Sequence, residues 1–151
     1  MKIKKAKIED ADEIKKLRKE SITKINGKDL NKKHIDFLLQ MNCKYNTYKK
    51  IKKGIVYIAR QNKKIIATIE LNKNHISGFY VKNNLTKKGI GTKILNLIEK
   101  KAKKNGIKTI GLQCNNSSIE FYLKKGYKNY KTKYTKECGK NTPIFLVRKR
   151  L

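Results

Sequence analysis

Near the start of the chain the apolar residues Ile8, Ala11, Ile14, Leu17 and Ile22 recur at close to helical spacing, which predicts an amphipathic helix running to about Ser21. Ahead of it Lys2 to Ile8 alternate imperfectly, as a short strand would, and Glu9, Asp10 and Asp12 put negative charge where a helix dipole favours it. The Asn26-Gly27 pair is a turn signal, and Asn31 is placed to cap a second helix carrying Ile35, Leu38 and Leu39. Residues 42–53 show little periodicity and are expected to form a loop.

From Gly54 onward the pattern changes to β-branched runs, Ile55 to Ala59 and Ile65 to Leu71, joined by a polar connection of hairpin length at residues 61–64. A third strand, His75 to Val81, follows the Asn72-Lys73-Asn74 turn, so an antiparallel meander is expected. Ile90, Ile94, Leu95, Leu97, Ile98 and Ala102 then mark one face of a helix that should close at Asn105-Gly106. A short apolar strand, Ile107 to Cys114, comes next, and the strand, helix, strand order implies a parallel crossover. A shorter helix is predicted from about Ser117 to Lys125, stopping at Gly126. Two β-rich stretches, Tyr127 to Tyr134 and Pro143 to Arg148, flank a polar loop from Lys136 to Asn141. No repeat or linker divides the 151 residues, so one domain spanning 1–151 is expected.

Composition narrows the chemistry. Lys plus Arg is 40 and Asp plus Glu is 11, a net charge of +29 that raises nucleic acid or an anionic membrane as a partner. Only four of those basic residues are arginine (Arg18, Arg60, Arg148 and Arg150), and there are 15 asparagines beside abundant isoleucine. That mixture matches the drift of an AT-rich genome, whereas phosphate and base recognition favour the planar fork of arginine. A solvated lysine surface is therefore expected, with no specific nucleic-acid partner. The scatter of eight tyrosines over strands and loops argues in the same direction. No apolar run approaches the roughly 18 to 20 residues that cross a bilayer, and Met1 to Ala6 lacks a signal-peptide pattern, so no membrane association and a cytoplasmic location are expected. Cys43, Cys114 and Cys138 form no CxxC pair, and with His34 and His75 as the only histidines no metal site is expected.

The segment richest in chemical information is Thr86-Lys87-Lys88-Gly89-Ile90-Gly91-Thr92, between a predicted strand and the predicted long helix. Two glycines one residue apart let the backbone come close to a bound group, and the unpaired amides of a first helical turn can cradle an anion such as phosphate. Lys87, Lys88 and Lys93 add positive charge. Neither the P-loop nor the dinucleotide fingerprint fits, because Gly91 is followed by Thr92-Lys93-Ile94.

This segment resembles the Gln/Arg-x-x-Gly-x-Gly/Ala motif of the GNAT superfamily of N-acetyltransferases, with Thr86 standing where Gln or Arg is usual and Lys87 or Lys88 available to replace the positive charge. Asn115, followed by Phe121-Tyr122-Leu123-Lys124-Lys125-Gly126-Tyr127, is similar to the family's second signature. The resemblance implies a mixed, mostly antiparallel α/β (α+β) sheet of six or seven strands with a central splay, flanked by about four helices. It further implies that acetyl-CoA enters as cosubstrate between the His75–Val81 and Ile107–Cys114 strands. The amides of Gly89, Ile90, Gly91 and Thr92 would hold its pyrophosphate, main-chain groups of Tyr80 and Val81 its pantetheine arm, and Asn115 the opposite side. Tyr122 would assist the departing thiolate, and transfer would pass directly to a primary amine in a ternary complex.

An attacking amine must first lose a proton, since a lysine-like amine has a pKa of about 10.4. His75, which opens the strand on the substrate side, Glu70 or a water chain could accept it. His34 is expected on a helix face or at the acceptor wall, and Cys114 is expected to be buried rather than nucleophilic. The second helix, residues 42–53 and the Lys136 to Asn141 loop are expected to shape the pocket for a small-molecule or peptide amine, with a homodimer possible. A non-catalytic acetyl-CoA-binding module and a lysine-rich nucleic-acid-binding protein are the alternatives.

Overall fold

The structure, a computed structural model, describes the backbone of residues 1–24, 32–137 and 140–151 and the side chains of these outside 135–141. The expected Asn26-Gly27 turn and Asn31 cap lie outside the described residues.

Strand β1 (Lys2–Lys5) leads through a single 3-10 turn (Ile8–Asp10) into helix α1 (Ala11–Lys24). The acidic cluster at this junction is put to specific use. The Asp10 carboxylate accepts the Lys7 amide at 2.8 Å and pairs with Arg60, while Glu13 accepts the Ile65 amide at 2.6 Å. Helix α2 (Lys32–Met41) follows, and the expected loop at residues 42–53 is instead helix α3 (Lys44–Lys52). The periodicity there is faint because the helix buries only Thr47 and Ile51, four residues apart, and its other positions are mostly lysine, tyrosine and asparagine.

Strands β2 (Val56–Gln61), β3 (Lys64–Asn72) and β4 (His75–Val81) form the expected meander. Each connection is tighter than the polar runs suggested, because Gln61 pairs with Lys64 and Asn72 with His75. The first turn places Asn62 and Lys63 both at positive φ, the geometry that a two-residue hairpin loop requires.

Helix α4 (Ile90–Lys104) closes as expected. The Ile107 amide donates to the Ala102 carbonyl, the Gly106 amide donates to that of Lys103, and Gly106 sits at φ 77. Strand β5 (Thr109–Cys114), helix α5 (Asn116–Leu123), and strands β6 (Lys128–Glu137) and β7 (Lys140–Arg150) complete the chain. The polar stretch expected as a loop from Lys136 to Asn141 is mostly ladder, with Lys136 opposite Asn141 and Glu137 opposite Lys140.

The sheet runs β1-β2-β3-β4-β5-β7-β6, and every pair is antiparallel except β4 with β5. The core lies in two layers. Ile94, Leu95, Ile98 and Ala102 of α4 pack on Tyr57, Ala59, Ile69 and Ile110, while Ile14, Leu17 and Ile51 of α1 and α3 pack on Val56, Ile58 and Ile65 across the sheet. β3 is buried on both faces from Ile65 to Leu71, which is why its sequence is a near-continuous apolar run. Among the described residues five α-helices flank the sheet, one more than the resemblance implies, the addition being α3.

Candidate active site

Gly89 precedes α4 in the left-handed conformation, φ 74, and a Cβ placed on it would meet nothing within 4 Å, so the turn opens onto free space. The first amide of the helix to find a carbonyl is that of Lys93, which donates to Gly89 at 3.0 Å. By helix geometry the amides of Ile90, Gly91 and Thr92 point out of the mouth, as an anion cradle requires. Lys87 and Lys88 are exposed beside it, and Lys87 also adopts positive φ, 60. The Thr86 hydroxyl donates to the Asn83 carbonyl at 3.0 Å, so it braces the loop.

Gly91 shows what the mouth touches. A Cβ there would lie 3.6 Å from the rings of both Phe79 on β4 and Phe121 on α5, which is ordinary contact. The helix mouth, β4 and α5 therefore meet at one point.

At that point the sheet comes apart. β4 and β5 are paired only at His75 with Gly111 and Ile76 with Leu112, and from Ser77 onward β4 keeps its β3 partner alone. The Lys82 amide donates to Ile66 at 2.8 Å, and Tyr80 lies opposite Thr68. Main-chain groups alternate in direction along a strand, so those of Tyr80 face β3 while those of Val81 and Phe79 face the opening. The Val81 amide thus faces an available edge, while its carbonyl accepts the Ser21 hydroxyl at 3.4 Å. For Tyr80 the main chain is committed to the sheet, and its side chain packs on the α1 side. The neighbour whose main chain is turned to the opening is Phe79.

Across the opening, Asn115 is buried at the start of α5, where its Oδ1 accepts the hydroxyls of Ser117 and Ser118 at 2.8 and 2.9 Å. Tyr122, about two turns further on, is buried among Phe79, Phe121 and Tyr127, with ring centroids 6.3, 5.1 and 5.6 Å away. Burial pushes its phenol well above the usual value, with smaller contributions from Cys114 and Tyr80, so it keeps its proton. Burial likewise pushes the Cys114 thiol up to about 11, which leaves little thiolate for nucleophilic attack.

The candidates for base are placed differently. His75 belongs to the zipped end of β4, six residues from Val81, or about 20 Å along an extended strand. Burial holds its pKa below the ordinary value. Glu70 lies inside the sheet's α1 side and is fully buried. Its Oε1 accepts Arg18 Nη1 at 2.6 Å, and its Oε2 accepts the Ser77 hydroxyl at 2.8 Å and lies 3.1 Å from Lys50 Nζ. Burial pushes the carboxyl up, but Arg18, Lys50 and Ser77 outweigh it and leave it below the usual value. Arg18 itself is fully buried and also reaches Thr68 Oγ1 at 3.0 Å and Asn42 Oδ1 at 3.2 Å. This polar cluster draws on α1, the α2–α3 junction, α3, β3 and β4. Two charges inside apolar patterns, Arg18 in the stripe of the first helix and Glu70 in the run from Ile65 to Leu71, are the sequence signals that point to it.

The geometry has a counterpart among known proteins. The model of the acetyltransferase (GNAT) family matches residues 20–127. The chain belongs to that family. Among solved structures, a GCN5-related N-acetyltransferase from Rhodopseudomonas palustris superposes with a TM-score of 0.87 at 18% identity, covering 99% of this chain and 95% of that one. The PaiA N-acetyltransferase from Thermoplasma acidophilum, solved in complex with coenzyme A, gives 0.81 at 22% identity, covering 99% and 98%. A ribosomal-protein-alanine N-acetyltransferase from Brucella melitensis gives 0.73 at 14% identity over the whole of both chains. No curated protein matches. At these identities the structural likeness establishes the fold, and the expected mixed sheet is that of these acetyltransferases. Among the described residues no helix is long and apolar enough to cross a membrane, and no cluster of His, Cys, Asp and Glu is able to hold a metal.

Proposed function

We propose that this GNAT protein transfers an acetyl group from acetyl-CoA to a primary amine by direct attack in a ternary complex. The observation that carries this is the parting of β4 from β5 after Ile76, with the mouth of α4 against the parted edge through Phe79. Main-chain donors for a diphosphate and a free strand edge for an extended amide-bearing arm are thereby side by side. Coenzyme A carries both groups.

In this reading the amides of Ile90, Gly91 and Thr92, with Gly89 giving room, receive the pyrophosphate, and Lys87 and Lys88 add charge at the rim. Main-chain groups of Phe79 and Val81 pair with the pantetheine arm. The Val81 amide donates to the thioester oxygen as negative charge builds on it, and Asn115 lines the other wall. Tyr122 presents its hydroxyl to the sulfur. Because burial holds the phenol above the range of a thiol, about 8.5 for free cysteine, the hydroxyl acts by donating a hydrogen bond to the departing thiolate more than by surrendering its proton outright. The amine's proton leaves through water, a route favoured by the roughly 20 Å of strand between His75 and Val81 and by the ion pairs that occupy Glu70. Helix α2 and the β6–β7 hairpin supply the acceptor side.

The test is a panel of amines (metabolites, polyamines, aminoglycosides and peptide termini) assayed for CoA release, with calorimetry for acetyl-CoA alongside. Saturable acetyl-CoA binding and turnover of at least one class are expected. Absence of binding would overturn the assignment, and binding without turnover of any amine would leave an acetyl-CoA-binding module in place of an enzyme.

A further inference from the structure

The extra residue in β4 sets which amide faces the opening. Thr68 lies opposite Tyr80 but Glu70 lies opposite Ser77, so Gly78 and Phe79 together face the single residue Ile69. Such a bulge shifts everything beyond it by one position. Were it ironed out, Tyr80 in place of Val81 would turn its amide toward the gap, and the ring of Phe79 would leave the mouth of α4.

The bulge is held from the α1 side by buried charge. Gly78 adopts φ 53, and a Cβ on it would fall 2.6 Å from the Glu70 carboxyl carbon and 2.9 Å from Arg18 Nη2. The Gly78 carbonyl accepts the Thr68 hydroxyl at 2.7 Å, and the same oxygen of Thr68 accepts Arg18 Nε. Ser77, on the other flank, donates to Glu70. Arg18 Nη2 is buried and has no partner among the described residues, although it lies directly against the bulge. A well-packed apolar pair would usually be at least as stable as a buried ion pair with an orphaned donor, so core stability alone does not account for this arrangement.

We infer that Arg18 and Glu70 are positioning residues: their ion pair, seated in the space left by Gly78, wedges the β4 bulge in the register that presents Val81 and Phe79 to the pantetheine arm. The inference rests on the acetyl-CoA reading above but is separable from it. Two probes distinguish them. Coenzyme A spans both the helix mouth and the β4 edge, whereas adenosine 3′-phosphate 5′-diphosphate carries the same diphosphate and lacks the pantetheine.

Calorimetry with both probes on the wild type, Gly78→Ala and Glu70→Gln reads the ratio of the two affinities. In Gly78→Ala the affinity for coenzyme A should fall at least tenfold and that for the nucleotide less than twofold. Glu70→Gln, which keeps the side-chain volume, should lower the ratio three- to fivefold and reduce kcat more than it raises the KM for the amine. If Gly78→Ala does not fold, Glu70→Gln decides the matter alone. A ratio unchanged in the folded variants, or equal losses for both probes, would overturn the wedge. Wild-type protein that binds neither probe would instead overturn the acetyl-CoA assignment.

Discussion

The mouth of α4 and the bulge of β4 face the same opening but are built from opposite materials. At the mouth the useful groups are main-chain amides, presented by a left-handed Gly89 and by Gly91 in ordinary contact with Phe79 and Phe121, and the lysines at its rim are exposed. At the bulge the main chain is shaped by side chains gathered from Arg18, Asn42, Lys50, Thr68 and Glu70, nearly all of them buried. A backbone site tolerates change in the residues around it. A buried charge cluster does not, because each member left behind keeps its cost of leaving water.

The sharpest way to break this contrast is Arg18→Ala, which should cost about 3 to 5 kcal/mol of folding stability in urea denaturation by stranding Glu70. A loss under about 1 kcal/mol would mean that the cluster is not the structural unit described. The same cluster has a pH signature. The folded pKa of Glu70 lies below its unfolded value of about 4.3, so the stabilisation it brings is complete above that value and is lost as pH falls through the folded pKa. Melting temperatures measured from pH 6 to pH 2 should drop on the acid side, and Glu70→Gln should flatten that limb.

Next in size is Tyr122→Phe, expected to lower kcat about 100-fold, or roughly 2.7 kcal/mol, with acetyl-CoA affinity preserved. Equal loss of affinity would return Tyr122 to a packing role among Phe79, Phe121 and Tyr127. Gly91→Val should weaken coenzyme A binding about tenfold, or roughly 1.4 kcal/mol. The cause would be displacement of the Phe79 and Phe121 rings, because a Cβ alone already sits 3.6 Å from each. Gly91→Ala should therefore be nearly silent, and a large effect of that change would show that the mouth closes more tightly than its geometry indicates. The smallest effect expected is that of the double change Lys87→Ala and Lys88→Ala, less than about threefold in coenzyme A affinity at physiological salt, since exposed charges are screened over roughly 8 Å. A larger loss would move the diphosphate's principal contacts from the backbone to these side chains.

The same difference in materials accounts for what could be read from the chain in advance. Gly89, Gly91 and the apolar face from Ile90 to Ala102 lie within one short segment, so their spacing announced both the helix and its mouth. His75 was attractive on chemistry alone. Its place at the paired end of β4 depends on how far β4 and β5 stay together, which is a long-range property. The resemblance pointed to Tyr80 and Val81 as a pair, but which of two adjacent residues turns its main chain to the gap depends on the β4 bulge, which local pattern does not reveal. Helix α3 escaped notice because two buried residues are too few to make a period, and Lys50, its contribution to Glu70, looks like any other of the chain's lysines.

The sequence by itself determined the helices with strong apolar faces, the hairpins, and the glycine turn ahead of α4, because each depends on residues that are neighbours along the chain. Only the tertiary structure decided where β4 leaves β5, which amide of β4 faces the gap, and that Arg18 meets Glu70 across 52 positions. Those outcomes depend on register and on the pairing of buried charges, and both are set by contacts between segments that local pattern does not encode.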